Sequence, residues 1–289
     1  MAEGLSPRMW DTSLGPVEAA VLGEGEPVVL VLHGTPGDWR QARALASDLA
    51  SMATVILVSR PGYGATPVGL GRTPAQQAQL FRALLEVLSV RQAVVVGISG
   101  GGPSAFAFAT GHPDRCTGLV LCCAVAPHLT SVPVSMRRLA SVPGAWRGLT
   151  ALARPVARRK LRDQEALAVE MEASLTHAER EVLAADALLR QDLLAFAADR
   201  VEALRGQGLR NDVRQKLCAQ ATGPKVWPPG LLIPTIVLHG DADQIVPLSH
   251  AEFHAATIPG AELVVLRGFG HALPLTARAE FVGAVVRLR

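Results

Sequence analysis

Lysine is nearly missing from this sequence of 289 residues: Lys160, Lys216 and Lys225 stand against 25 arginines. With 25 acidic residues the net charge is only +3, too near balance to imply a nucleic-acid partner. In an alanine-rich chain the arginine excess reads as codon bias rather than phosphate recognition. Cysteine is also scarce, and Cys116, Cys122, Cys123 and Cys218 show no metal-ligand spacing, so no metal is expected. Cys122 and Cys123 sit in an apolar run and read as core residues. Charged residues make up 18% of the chain against 49% hydrophobic, which excludes a disordered polymer and raises the question of a membrane. An unbroken apolar run is lacking, however. The two longest uncharged stretches lie between Arg91 and Asp114 and between Arg115 and Arg137, and both are interrupted by Gly or Pro (Gly97, Gly100, Pro103; Pro127, Pro133). Buried strands with turns fit this better than a spanning helix, and no transmembrane segment is expected. The first twelve residues hold Glu3, Arg8 and Asp11 and no apolar stretch. That predicts no secretory leader and a cytoplasmic location. There is no internal repeat.

What is present is an alternation. Short β-branched runs (28–32, 55–58, 93–98, 118–124) are separated by Ala/Leu-rich helical segments (39–50, 74–88, 103–110). Thr73 and Pro74 predict an N-cap and first helical position. Continuous rather than alternating apolar strands mark a parallel sheet buried on both faces, with 17–22 as an antiparallel edge strand. The rhythm stops near Val125 and resumes with strands at 235–238 and 263–266 and helices at 248–256 and 275–288. About a hundred mostly helical residues lie between. The expected division is a catalytic core of 1–125 and 230–289 with an inserted helical cap and linker, 126–229. No acid occurs between Arg115 and Arg162, where basic residues accumulate, whereas ten acids fall between Asp163 and Glu202. Solvated helix faces that partly pair with each other account for this; a basic cap that attracts acidic ligands or lipid headgroups is the sharper reading.

Chemistry concentrates at Gly97-Ile98-Ser99-Gly100-Gly101, between a strand and a helix. A serine at the tip of such a turn is forced outward, and Gly97 and Gly101 keep strand and helix close. The Gly100 N–H, beside Ser99 at the helix N-terminus, is one candidate oxyanion donor. The turn His33-Gly34-Thr35-Pro36-Gly37-Asp38 supplies the other from Thr35, since Pro36 has no N–H. A serine hydroxyl needs a histidine, and the histidine an acid. His271, in Gly268-Phe269-Gly270-His271 after the last strand, is the base of choice. His33 and His239 read as structural; His112, His177, His250 and His254 fall on helices or helix ends; His128 is a pocket candidate. The acid must follow a strand, and the loop after Leu238 offers Asp243 and, as competitor, Asp241, whose alternative role is an Asx turn.

These segments, together with Arg60-Pro61-Gly62-Tyr63-Gly64 and the run from His239 to Pro247, resemble the α/β-hydrolase superfamily, in order and at the usual spacing. The resemblance implies an α/β fold with a mostly parallel central sheet flanked by helices, catalysis without a metal or organic cofactor, and Asp243 rather than Asp241 as the acid. Ser99 at the position where some members carry aspartate argues against dehalogenase or epoxide hydrolase chemistry. One departure is Ser59, where relatives often carry Asp. The expected function is serine hydrolysis of a carboxylic ester, with catalytic Ser99, Asp243 and His271. Lactone, amide or C–C cleavage by the same residues, or ligand binding without turnover, are the alternatives. Trp39, His128, Trp146 and Trp227 are candidates to line an apolar pocket. The expected partner is a small hydrophobic ester, and a homo-oligomer is compatible with the sequence.

Overall fold

The computed structural model of the chain describes residues 5–127, 163–203, 207–217 and 226–288. His128, Trp146 and the basic stretch up to Arg162 lie outside these residues. Eight strands form one sheet: β1 (Arg8–Thr12), β2 (Gly15–Leu22), β3 (Val28–Leu32), β4 (Thr54–Val58), β5 (Ala93–Ile98), β6 (Cys116–Cys122), β7 (Thr235–Gly240) and β8 (Glu262–Leu266). Their spatial order is β1-β2-β4-β3-β5-β6-β7-β8. β1 and β2 run antiparallel, and every pairing from β4 to β8 is parallel.

The strand sequences dictate this arrangement. β3 (VVLVL), β5 (AVVVGI) and β7 are buried at every position. Successive side chains point to opposite faces, so Leu30, Leu32, Ile56 and Val95 enter one core with helix α2 (Pro74–Val87) and α3 (Gly102–Gly111). Val29, Val31, Val55 and Val96 enter the other, with α1 (Arg43–Leu49) and Phe281. The α2 start is as expected: Thr73 accepts from the Gln76 N–H, the Gln76 side chain returns the bond, and Pro74 follows the cap.

Three expectations need correction. The strand at 15–22 is antiparallel but is not the edge, because β1, mostly exposed, pairs outside it. Residues 39–50 divide into a 3₁₀ turn (Trp39–Ala42) and α1. The last helix is interrupted at Ala277 (φ −120°, ψ 50°) between Leu273–Thr276 and Arg278–Val286.

Between β6 and β7 the described residues form α4 (Gln164–Ala173), α5 (His177–Ala185), α6 (Ala187–Ala203) and α7 (Gly208–Leu217). The acids here are not only a solvated face. Glu179, Asp199 and Asp212 are buried, and each is committed to a residue of the sheet-bearing part, because a carboxylate removed from water needs donors or a counter-charge. After β7 the remaining α-helices among the described residues are α8 (Ser249–Thr257), α9 (Leu273–Thr276) and α10 (Arg278–Val286), in chain order.

Candidate active site

Ligand sites in open α/β sheets gather at the carboxyl ends of the strands, and the singled-out residues meet there. Ser99 follows β5 with a left-handed φ of +49°, a strained conformation for a residue with a side chain. The turn that imposes it is closed by packing. A Cβ on Gly97 would lie 2.6 Å from the Ala105 Cβ, and one on Gly101 only 2.2 Å from the Leu32 carbonyl oxygen. Glycine is therefore required at 97 for β5 and α3 to approach so closely, and at 101 for the turn to sit against the end of β3.

His271 follows β8 and reaches across to Ser99. Its Nδ1 lies 2.7 Å from Asp243 Oδ2 and its Nε2 3.1 Å from Ser99 Oγ. The carboxylate only accepts, so Nδ1–H donates to Asp243, and Nε2 is left to accept from the serine hydroxyl. The second Asp243 oxygen accepts the Ile245 and Val246 N–H groups at 2.8 and 2.9 Å. Burial pushes the Asp243 carboxyl up, but the His271 hydrogen bond and charge and these backbone donors outweigh it and hold its pKa below the ordinary value. Asp241 instead accepts the Gly268 N–H at 2.7 Å and shapes the loop. His239 is bonded to the Val246 carbonyl.

The turn after β3 faces Ser99. A Cβ on Gly34 would stand 3.1 Å from the Ser99 Cβ, and one on Gly100 would stand 3.3 Å from the Thr35 backbone nitrogen, so the Thr35 and Gly100 backbones flank the serine closely. His33 is neutral here. Burial, then the charge of Arg60, lower its pKa to about 3. Its Nε2 accepts the Arg60 N–H at 2.9 Å, which leaves Nδ1–H to donate to the Gly34 carbonyl at 2.7 Å. Arg60 is wholly buried. Its guanidinium donates to the His33 carbonyl (2.8 Å) and Thr35 Oγ1 (3.0 Å), and to both oxygens of Asp212 (3.0 and 2.7 Å). Tyr63 (2.8 Å) and the Thr35 hydroxyl also donate to Asp212. Burial raises the Asp212 pKa, yet the charge of Arg60 and hydrogen bonds from Arg60, Thr35 and Tyr63 hold it below the usual carboxylate range. Ser59 donates to Glu18 at 2.5 Å and accepts the Trp39 N–H at 3.3 Å, so the carboxylate in this loop comes from β2.

The cavity over Ser99 is mostly apolar. Ala42, Leu45, Ile98, Phe196, Leu275 and Phe281 contribute to its walls, and His271 and Arg200 are its ionisable side chains. An adjoining chamber of about 440 Å³ shares Phe196, Arg200, Ile245 and His271 with it. Two pocket expectations fail. Trp227 is 4% exposed, packs edge-on against Phe106 at 5.3 Å and donates its indole N–H to the Leu231 carbonyl; it is a core residue, since an indole needs one acceptor and a large apolar contact. Trp39 packs, half-buried, against the second core, and Gln41, Ala42 and Leu45 take the wall instead.

A family model described as the alpha/beta hydrolase fold matches residues 27–277. The chain belongs to this family. It is similar to the uncharacterized hydrolase YcgS of Bacillus subtilis (strain 168), 25% identical over 279 residues, 94% of each chain. Among solved structures, an alpha/beta hydrolase fold protein from Nakamurella multipartita is 29% identical, with a TM-score of 0.72 over 97% of this chain and 99% of that one. A thermophilic esterase from Thermogutta terrifontis is 25% identical, with a TM-score of 0.66 over 98% and 97%.

Within this hydrolase, sequence reasoning missed the contributions from the helices between β6 and β7. Glu179 of α5 accepts the Gly270 N–H at 3.0 Å, next to His271; Asp199 of α6 pairs with Arg43 at 3.1 Å; Asp212 of α7 holds Arg60. A capping box at Thr176-Glu179 was the only local signal. The Cys123 thiol lies with ligand atoms of Asp243 and His271 within 4.8 Å of one another. Its hydrogen bond with Cys122 and its burial raise its pKa well above that of a free thiol, and it packs in the second core. Among the described residues, no helix is long and apolar enough to cross a membrane.

Proposed function

We propose that this hydrolase cleaves carboxylic esters through an acyl-enzyme on Ser99. Ser99 Oγ attacks the acyl carbon as His271 Nε2 takes its proton. Asp243 fixes the His271 tautomer and stabilises the imidazolium. The Thr35 and Gly100 N–H groups bind the tetrahedral oxyanion, each worth roughly 10²–10³ in rate. His271 then protonates the leaving alcohol and draws a proton from the water that releases the acid. The observation that carries this reading is the unbroken hydrogen-bonded line from Ser99 to His271 to Asp243, at 3.1 and 2.7 Å. The largely apolar cavity and the likeness to an esterase favour a small ester with hydrophobic parts. We further infer that 126–229 acts as a cap over a core of 1–125 and 230–289, because Phe196 and Arg200 of α6 line the cavity from above the sheet edge.

A chain-length panel of p-nitrophenyl esters, run with a lactone and an amide, tests this. Turnover of the esters is expected, with Ser99→Ala lowering kcat by as much as about 10⁶-fold while the folded signal is retained. Wild-type activity in Ser99→Ala would overturn the assignment.

A further inference from the structure

Among the described residues, Arg200 is the one charge in the cavity wall that the proposed mechanism does not use. It projects from α6 four residues after Phe196, so both share a helix face, and its guanidinium lies 5.6 Å from the Phe196 ring centroid. Both residues line the cavity over Ser99 and the adjoining chamber, which puts Arg200 where the two meet. The other arginines nearby have counter-ions. Arg40 pairs with Asp38 and Asp199, Arg43 with Asp199, Arg60 with Asp212, and Arg278 with Asp48 and Asp192. Asp199, the sequence neighbour of Arg200, is thereby committed elsewhere, and Glu202 is near enough to Arg40 to raise its pKa.

For Arg200 no carboxylate among the described residues supplies a compensating charge, and burial lowers its pKa. Nor does the rest of the insertion hold one: 128–162, 204–206 and 218–225 contain no Asp or Glu. A half-buried cation without a counter-ion is unfavourable unless something from outside completes it. The guanidinium lies by the Phe196 ring, and the edge of such a fork matches a carboxylate by two parallel N–H···O bonds.

We propose that Arg200 binds a carboxylate on the substrate, so that the preferred substrates are esters with an anionic group on the portion that extends from Ser99 toward the outer chamber. This rests on the ester-hydrolase reading above, and the test separates the two. Monomethyl adipate and dimethyl adipate share a skeleton and differ in one charge. The wild type is expected to favour the monoester in kcat/KM. Arg200→Gln should lower the charged-to-neutral ratio by about 10–100-fold, the usual worth of a hydrogen-bonded charge, with Arg200→Lys in between. A binding measurement independent of turnover uses adipate itself: millimolar adipate should raise the Tm of wild type and of Ser99→Ala, and not that of Arg200→Gln. Since Arg200 makes no ion pair among the described residues, the Tm of Arg200→Gln without ligand should not fall. A ratio unchanged by Arg200→Gln, or equal adipate stabilisation in that variant, would overturn the role of Arg200 and leave the hydrolase reading standing. If no ester is turned over, the hydrolase reading fails while the adipate shift still decides the anion site.

Discussion

At Ser99 the conformation and the chemistry have the same cause. A φ of +49° is unfavourable for serine, and it persists because Gly97 lets β5 and α3 close together and Gly101 lets the turn press against the end of β3, with no room for a methyl group at either position. The residues of this line were legible in the sequence because each carries a local signature: small neighbours around Ser99, a strand end before Asp243, a glycine-flanked loop before His271. Arg200 and Asp212 carry none. Each lies in a helix of ordinary composition, and Asp212 meets Arg60 from 152 residues away. A single-residue test of the Asp243 role is Asp243→Asn. An amide can donate to Nδ1, so His271 would take the tautomer whose Nε2 bears the proton and can no longer accept from Ser99. In a serine protease the equivalent change costs about 10⁴-fold in kcat, and a loss of that order is expected here in ester turnover. A loss under about tenfold would contradict the tautomer argument.

The elements divide into a set that positions the reacting groups and a set that secures them. Strands β3, β5, β7 and β8 set the positions, and their continuous apolar runs made them readable from sequence. The edge strand β1 was not readable, since its five residues mix charged, polar and apolar types, are largely exposed and carry no periodic apolar pattern. The helices between β6 and β7 do the securing, through Glu179 at the His271 loop and Asp212 at the Thr35 turn. Their composition suggested a solvated surface because sequence does not reveal which acid of an amphipathic helix turns inward. Asp212→Asn would leave the buried Arg60 without its counter-charge, a change that costs about 3–5 kcal/mol. Urea unfolding should register that loss, and kcat should fall with it as the Thr35 turn loosens. A cost below about 1 kcal/mol would mean that α7 does not secure the turn.

Over the whole molecule, the 49% hydrophobic content is accounted for largely by a sheet covered on both faces, with the site along its carboxyl edge. The same burial makes the protein sensitive to acid. His33 and His254 are buried and neutral, with pKa values lowered to about 3 mainly by desolvation, against 6.5 for a free histidine. Between these values the unfolded chain binds protons that the folded chain refuses. Stability is therefore full above about pH 6.5 and falls as pH drops toward 3, by up to about 1.4 kcal/mol per pH unit for each group. The depressed Asp212 and Asp243 carboxyls add to the loss below about pH 4. The urea midpoint should hold from pH 7.5 to about 6.5 and decline steadily from there to pH 5; a flat profile over that lower range would contradict the burial of these imidazoles as neutral groups.

The proposed mechanism requires an activated serine at position 99. Its most direct test is covalent labelling by a fluorophosphonate, followed by peptide mass spectrometry. The expected result is one adduct per chain, located on Ser99, absent from Ser99→Ala and strongly slowed in His271→Ala. An unlabelled wild type, or an adduct on another residue, would contradict Ser99 as the nucleophile.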